Sequence, residues 1–339
     1  MSSGMPLQNI VRPVGCSELF MQLFLEEHMS RETSRVAIAT RFILLALVMG
    51  LAACTKAPSI KTFASPDDAG NGLLQAAKSG NLDAVLAIFG EDSKQIIFSG
   101  DAVQDKATVD AFVAAYGVMH RWRKMPDDAQ VLLIGADNFA FPIPLKKNGS
   151  GQWFFDAAAG KGEILARRIG RNELAVIDIC GALADAQAEY FARTQDDGGT
   201  KHYALKFISD TGKRNGLYWE SPEGQERSPL GPLVAFATDE GYNVKPNSHL
   251  PFHGYYFHML NRQGSHTPDG ARDYVVDGKM ANGFAFVAYP AEYGNSGVMT
   301  FIINQDGVLL QKDLGKNTKE TATAMTEFDP DATWSQVPD

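Results

Sequence analysis

The sequence predicts an α+β protein: helices with a curled antiparallel sheet first, then a long central helix, then a second antiparallel sheet. Three observations predict it. Apolar residues recur every three or four positions over about 66–120 and again over about 161–193. Short alternating runs bounded by Gly, Asn and Pro fill 130–155 and 254–311. The 339-residue chain is 45% hydrophobic and 21% charged, which excludes a disordered polypeptide because it can bury a sizeable core.

Taken in order, Ser65-Pro66-Asp67-Asp68 supplies a capping hydroxyl, a proline suited to the first helical turn and two carboxylates for the positive helix end. Ala69, Leu73, Leu74 and Ala77 then share one face. Gly80 stops that helix, and Asn81 caps the next, whose stripe is Leu82, Val85, Leu86 and Phe89 before Gly90. A short strand is expected at 95–98, and a helix over 106–120 on Val109, Phe112, Val113 and Tyr116. Strands are expected at 130–134, 139–145 and 152–155, with Pro142 and Pro144 pushing the middle one to an edge.

The long helix reads through Leu174, Ile177, Gly181, Ala184, Ala188 and Phe191, with a break near Gly170. Its small residues, Gly181, Ala184 and Ala188, are expected to admit a closely packed neighbour. Loops dominate 194–251 apart from a helical island after Ser228-Pro229, and strands follow at 254–260, 273–276, 284–289, 298–303 and 308–311. Asn304-Gln305-Asp306-Gly307 is a good hairpin turn. The early helices and meander resemble the cystatin and nuclear-transport-factor-like α+β cone, which implies a pocket under the helices. The late sheet loosely resembles the sheet halves of pilin-like proteins.

One stretch stands apart. Phe42 to Cys54 is an uncharged apolar run preceded by Arg31, Arg35 and Arg41. It is shorter than the roughly 20 residues a spanning helix needs, and it has the basic, apolar and small-residue order of a secretory signal. Leu51-Ala52-Ala53-Cys54 resembles the lipobox of bacterial lipoproteins, which implies that the Cys54 thiol is acylated and becomes the first mature residue. Thr55 in place of Asp after that cysteine implies the outer membrane, facing the periplasm. Residues 1–28 fit a signal badly, since Glu18, Glu26 and Glu27 lie there, so Met29 competes with Met1 as the start. The expected organisation is an extension over 1–28, a signal peptide over 29–53, a lipidated tether over 54–64, an N-terminal α+β domain over 65–160, a long helix with a loop-rich connector over 161–250, and a C-terminal antiparallel β domain over 251–339.

Several segments together carry a family resemblance: Phe63-Ala-Ser-Pro-Asp67, Phe141-Pro-Ile-Pro-Leu145, Arg167-Arg-Ile-Gly-Arg-Asn-Glu-Leu174, Gly216-Leu-Tyr-Trp219, Ser228-Pro-Leu-Gly-Pro-Leu233, His253-Gly-Tyr-Tyr256, Tyr289-Pro-Ala-Glu-Tyr-Gly294, Ser296-Gly-Val-Met-Thr-Phe301 and Gln311-Lys-Asp-Leu-Gly315. They are similar to the bacterial family known as domain of unknown function 2950, from Phe63 to the end. The resemblance implies an envelope lipoprotein and brings no assigned catalytic residues.

Candidate chemistry is sparse. His249, His253, His258 and His266 cluster late, but neither HExxH nor HxH occurs, so no metal or other cofactor is expected. Ser296, in the glycine-flanked loop Gly294-Asn295-Ser296-Gly297, forms with Glu292 and His253 the best nucleophilic constellation, although it is not GxSxG and a strand-to-strand loop lacks a nucleophile elbow. Tyr218, Trp219, Tyr255, Tyr256, Tyr289 and Tyr293 are binding candidates, because aromatic rings offer rigid apolar area with a polar handle. Arg167, Arg168 and Arg171 make a basic spot on the long helix.

Three cysteines, Cys16, Cys54 and Cys180, cannot build a disulfide framework, and Cys180 reads as a small buried hydrophobe. A net charge of −9 argues against nucleic acid as partner. The expectation is a non-catalytic cell-envelope lipoprotein, held to a membrane by its lipid and binding an envelope protein or cell-wall polymer. The alternatives are a periplasmic hydrolase using His253, Glu292 and Ser296, or a small-molecule carrier with a pocket in the N-terminal domain.

Overall fold

The computed structural model describes residues 60–193, 201–222, 224–243 and 250–338; Cys16, the 42–54 run with its Leu51, Ala52, Ala53 and Cys54, and His249 lie outside the described residues. The first described helices follow their caps. Helix α1 (Pro66–Ser79) starts where Ser65 Oγ accepts from Asp68 N at 3.1 Å, and ends at Gly80 in the left-handed region. Helix α2 (Leu82–Phe89) starts where Asn81 Oδ1 accepts from Asp83 N at 2.8 Å. The segment expected as a strand at 95–98 is instead one turn of helix, α3 (Lys94–Ile97). Its Ile96-Ile97 pair suggests a strand, but the carbonyls of both are claimed by an arginine from another helix, which holds the segment as a turn. Helix α4 (Ala102–Val118) is capped by Asp101, whose Oδ1 accepts from Val103 N and Gln104 N, both at 3.1 Å.

A five-stranded sheet follows. Strands β1 (His120–Lys124), β2 (Gln130–Ile134), β4 (Leu145–Lys147) and β5 (Trp153–Phe155) lie side by side, and β3 (Phe139–Ala140) pairs with β2. The strand expected at 139–145 is therefore split. Pro142 and Pro144 end its pairing, and β4 lies between β2 and β5 rather than at an edge. Phe63 adds a bridge to Trp153 beyond β5. Phe89, Phe141, Trp153 and Phe155 pack with α1 and α2 into the N-terminal core.

Helix α5 (Ala157–Arg193) runs for 37 residues without a break at Gly170, where a methyl group would meet open space. Its buried stripe is Val176, Ile179, Cys180, Leu183, Ala186 and Tyr190. The expected stripe has the right period on a neighbouring face: Leu174 is 66% exposed, Ala188 is exposed and Gly181 faces open space. Nothing packs closely at Gly181, since the larger buried side chains beside it carry the contact. Burial pushes the Cys180 thiol up to about 12.

Helix α6 (Gly231–Glu240) is the expected island. The second sheet comprises β6 (Tyr255–Leu260), β11 (Ala285–Pro290), β12 (Met299–Asn304), β13 (Leu309–Asp313) and β15 (Ser335–Gln336), in the order β15-β13-β12-β11-β6 and antiparallel throughout. Between them, β7 (Arg262–Gln263) pairs with β8 (Arg272–Asp273) and β14 (Glu327–Phe328), and β9 (Val275–Val276) pairs with β10 (Lys279–Met280). Helix α5 contacts β11 and β12, and α7 (Thr318–Thr323) also contacts β11, so every residue of β11 is buried. A strand covered on both faces reads as continuous apolar sequence rather than alternation. The described residues from Ile60 on belong to one compact unit.

Candidate functional site

Helix α5 carries Arg168, Asn172 and Glu173 within two turns, all reaching the loop between β11 and β12. Arg168 Nη1 donates to Asn295 Oδ1, and its Nη2 donates to Ile96 O at 2.6 Å and Ile97 O at 3.2 Å. Asn172 Nδ2 donates to Ser296 O at 2.9 Å, while Glu173 Oε1 accepts from Val298 N and Met299 N, each at 2.9 Å. Burial pulls the Arg168 guanidinium below its ordinary value, against the opposite pull of Asp105 and Glu292. Glycines make this approach possible. A Cβ at Gly297 would lie 2.0 Å from the Tyr255 hydroxyl, and one at Gly254 would lie 2.6 Å from Asn172 Nδ2.

A second cluster adjoins it. Asp101 Oδ2 accepts from Tyr242 OH at 2.7 Å and Gly254 N at 3.3 Å. Burial and the Asp101 carboxylate both raise the Tyr242 hydroxyl. Asp105 accepts from Ser99 N and from Ser99 Oγ at 2.7 Å, yet burial still holds its carboxyl above the usual range. His253 sits in the left-handed region at φ 49°, with Nδ1 2.9 Å from Gln104 Nε2. Its Nε2 is 3.0 Å from Glu240 Oε2, close enough for ion pairing but out of line for a hydrogen bond.

Ser296 is fully buried; its Oγ accepts from Glu292 N at 3.0 Å and donates to Glu292 O at 3.2 Å. His253 and Ser296 lie on either side of Gly254, but the ring is engaged with Gln104 and Glu240 and the hydroxyl with its own turn. The Glu292 side chain accepts from Asn295 Nδ2 at 2.9 Å. What this arrangement does chemically is lock three chain segments together. It presents no free nucleophile.

The six aromatic candidates do not share one exposed surface. Tyr255 is fully buried, Tyr289 is buried with its ring tilted against that of half-buried Tyr256 at 5.7 Å, and Tyr218 and Trp219 pack on the second core. Tyr293 donates to Asp313 Oδ2 at 3.2 Å. Of the arginine spot, Arg168 is internal, and Arg167 pairs with Glu163 at 2.6 Å and lies over the Phe139 ring at 4.6 Å; Arg171 alone is an exposed cation. His258 Nε2 donates to Met325 O at 2.9 Å, and burial lowers its proton affinity; His266 meets Asp329 at 2.8 Å. Among the described residues no three His, Cys, Asp or Glu side chains converge as a metal cage.

A cleft that sequence reasoning missed opens beside the β12–β13 hairpin. Its volume is about 340 Å³; Pro268, Val308, Leu310 and Phe328 line it with apolar area, Gln263, Thr267 and Asn304 with buried polar groups, and Asp269 and Asp306 with carboxylates. Its walls come from residues about 40 to 60 positions apart, so only the hairpin turn 304–307 signals it in the sequence. A wider, shallower depression of about 520 Å³ lies on α7 at Lys316, Lys319 and Thr323.

The fold and site define an α+β body with two five-stranded sheets, a buried polar junction and a small open cleft. The chain matches, over residues 60–337, the family model described as "Protein of unknown function (DUF2950)", and it belongs to that family. Comparison with curated proteins and with solved structures returns no match. Family-like segments quoted from the sequence meet at the junction: Arg168, Asn172 and Glu173 from one, Gly254 and Tyr255 from another, Glu292 and Ser296 from the two that flank Asn295.

Proposed function

We propose that the protein is a non-catalytic binding module of the bacterial cell envelope, exported by residues 29–53, acylated at Cys54 and held at the outer membrane on its periplasmic side. The cleft beside the β12–β13 hairpin carries the binding part of this reading. Its volume falls within the range of about 300–1,000 Å³ typical of small-ligand sites, and its mixture of apolar lining with buried amide and hydroxyl groups suits a short segment of a wall peptide. The hydroxyl and imidazole of the hydrolase alternative are both engaged in internal contacts, which disfavours that reading.

The test is retention of soluble cell-wall fragments by the chain from position 54 onward, compared with Val308→Trp, which fills the cleft from an exposed position. Retention that the variant loses is the expected result; retention by neither, or equally by both, overturns the cleft as the site. Labelled palmitate incorporated by the wild type and not by Cys54→Ser checks the anchor separately.

A further inference from the structure

Strand β1 reads His-Arg-Trp-Arg-Lys and forms the free edge of the first sheet. Trp122 pairs with Leu132 and points inward, its ring 6.3 Å from Phe155. Strand alternation then sends Arg121 and Arg123 to the opposite, outer face. Both are exposed, and neither has a hydrogen-bond or ion-pair partner among the described residues. The same alternation, through Leu145 and Phe155 on the inner face, places Lys146 and half-buried Phe154 on the outer one. Nearby carboxylates do not neutralise the arginines. Asp128 is held by Lys124 at 2.5 Å, Asp156 by Lys146 at 3.1 Å, and Asp127 turns onto Ala129 N.

This basic face belongs to an acidic body. Residues 1–53 hold four basic side chains (Arg12, Arg31, Arg35, Arg41) and four acidic ones (Glu18, Glu26, Glu27, Glu32), so the whole −9 lies from position 54 on. Its net charge would turn such a body away from an anionic bilayer, and only a local cationic face can meet one. The chain enters the same sheet: Phe63 pairs with Trp153 at the edge opposite β1. Five residues separate Cys54 from Ile60, six chain steps that span at most about 22 Å. Four strand spacings from Phe63 to β1 make about 19 Å, so the sheet is within reach of the headgroups.

We propose that the outer face of the first sheet is a membrane-docking surface on which Arg121 and Arg123 engage the phosphates of anionic phospholipids. It rests on the reading that Cys54 anchors the chain. Arginine suits the role because its planar guanidinium forms paired hydrogen bonds to phosphate oxygens. The half-buried Phe154 and Val131 beside it leave part of their apolar area open for the shallow contact of an interfacial surface.

The experiment is co-sedimentation of the chain from position 54 onward, carrying Cys54→Ser so that no acyl chain contributes, with vesicles of phosphatidylcholine alone or with phosphatidylglycerol added. At a surface potential of about −30 mV each cation gains about threefold, so the wild type should partition about tenfold more onto the anionic vesicles than Arg121→Gln/Arg123→Gln. Raising the salt should abolish the difference. Because both side chains are exposed and unpartnered, an unchanged melting temperature is expected for the variant and certifies its fold. Equal partitioning of the two proteins, or no preference of the wild type for anionic vesicles, overturns the proposal. Failed acylation of Cys54 in cells with an intact vesicle preference removes the anchor and leaves the surface; acylation without the preference removes the surface alone.

Discussion

Replacing Arg168 by Met tests whether the junction holds the two sheets' segments together. The substitution keeps an unbranched side chain of similar length and removes every donor. Three acceptors, Asn295 Oδ1, Ile96 O and Ile97 O, are then left inside the protein, and Asp105 and Glu292 lose a nearby positive charge. Hydrogen bonds from a charged donor contribute about 1.5–3 kcal/mol each, but the guanidinium also gives up hydration on burial, which offsets part of the sum. Breaking a buried charged contact by deleting one partner typically costs about 3–5 kcal/mol, and the lower end fits a site whose charge is partly opposed by Arg171. With a urea m-value near 3 kcal/mol per M, a loss of about 3 kcal/mol moves the unfolding midpoint down by about 1 M. Arg168→Lys should fall between, since one ammonium cannot span three acceptors. A midpoint shift under about 0.3 M for Arg168→Met, or a stabilisation, would refute the reasoning: desolvation would then outweigh the hydrogen bonds.

Gly297→Ala is expected to cost about 2–3 kcal/mol through the collision with Tyr255, whereas Gly294→Ala, at φ 75° in open space, should cost only about 1 kcal/mol of backbone strain; thermal unfolding of both separates crowding from strain. Asp105 titrates higher when folded than when unfolded, so the folded chain binds this proton more tightly. The contribution of that group is greatest below the ordinary carboxylate value and is lost as pH rises through the folded one. Asp105→Asn should therefore gain on the wild type between pH 4 and pH 7 in denaturant titrations; a difference that stays flat with pH contradicts the assignment.

How much of this was legible depended on distance along the chain. The caps at Ser65 and Asn81, and the strands at β2, β11 and β12, are local patterns and stand where the sequence puts them. Strand β1 was illegible because Trp122 is its only large apolar residue, and its pairing with β2 rather than any alternation makes it a strand. The stripe of α5 was misplaced because two neighbouring faces both carry apolar residues at helical spacing, and only the sheet's position chooses between them. At the junction, Ser296 and Glu292 were visible as neighbours. Arg168 and Asn295 are 127 positions apart, and Asp101 and Tyr242 are 141 apart, so no window of sequence links them.

Those separations govern when the molecule can be finished. As the chain is made from its amino end, α5 is complete at residue 193, but the partners that tie Arg168, Asn172 and Glu173 to the late sheet arrive only with residues 295–299. Until then Arg168 has only the Ile96 and Ile97 carbonyls, Asn172 lacks the Ser296 carbonyl, and the apolar stripe lacks β12. Closing so wide a loop is slow relative to local helix formation. The body is thus a structure that locks only when almost the whole chain is present. A chain stopped before residue 295 keeps its amino-terminal helices yet lacks the loop that bolts α5 to β12.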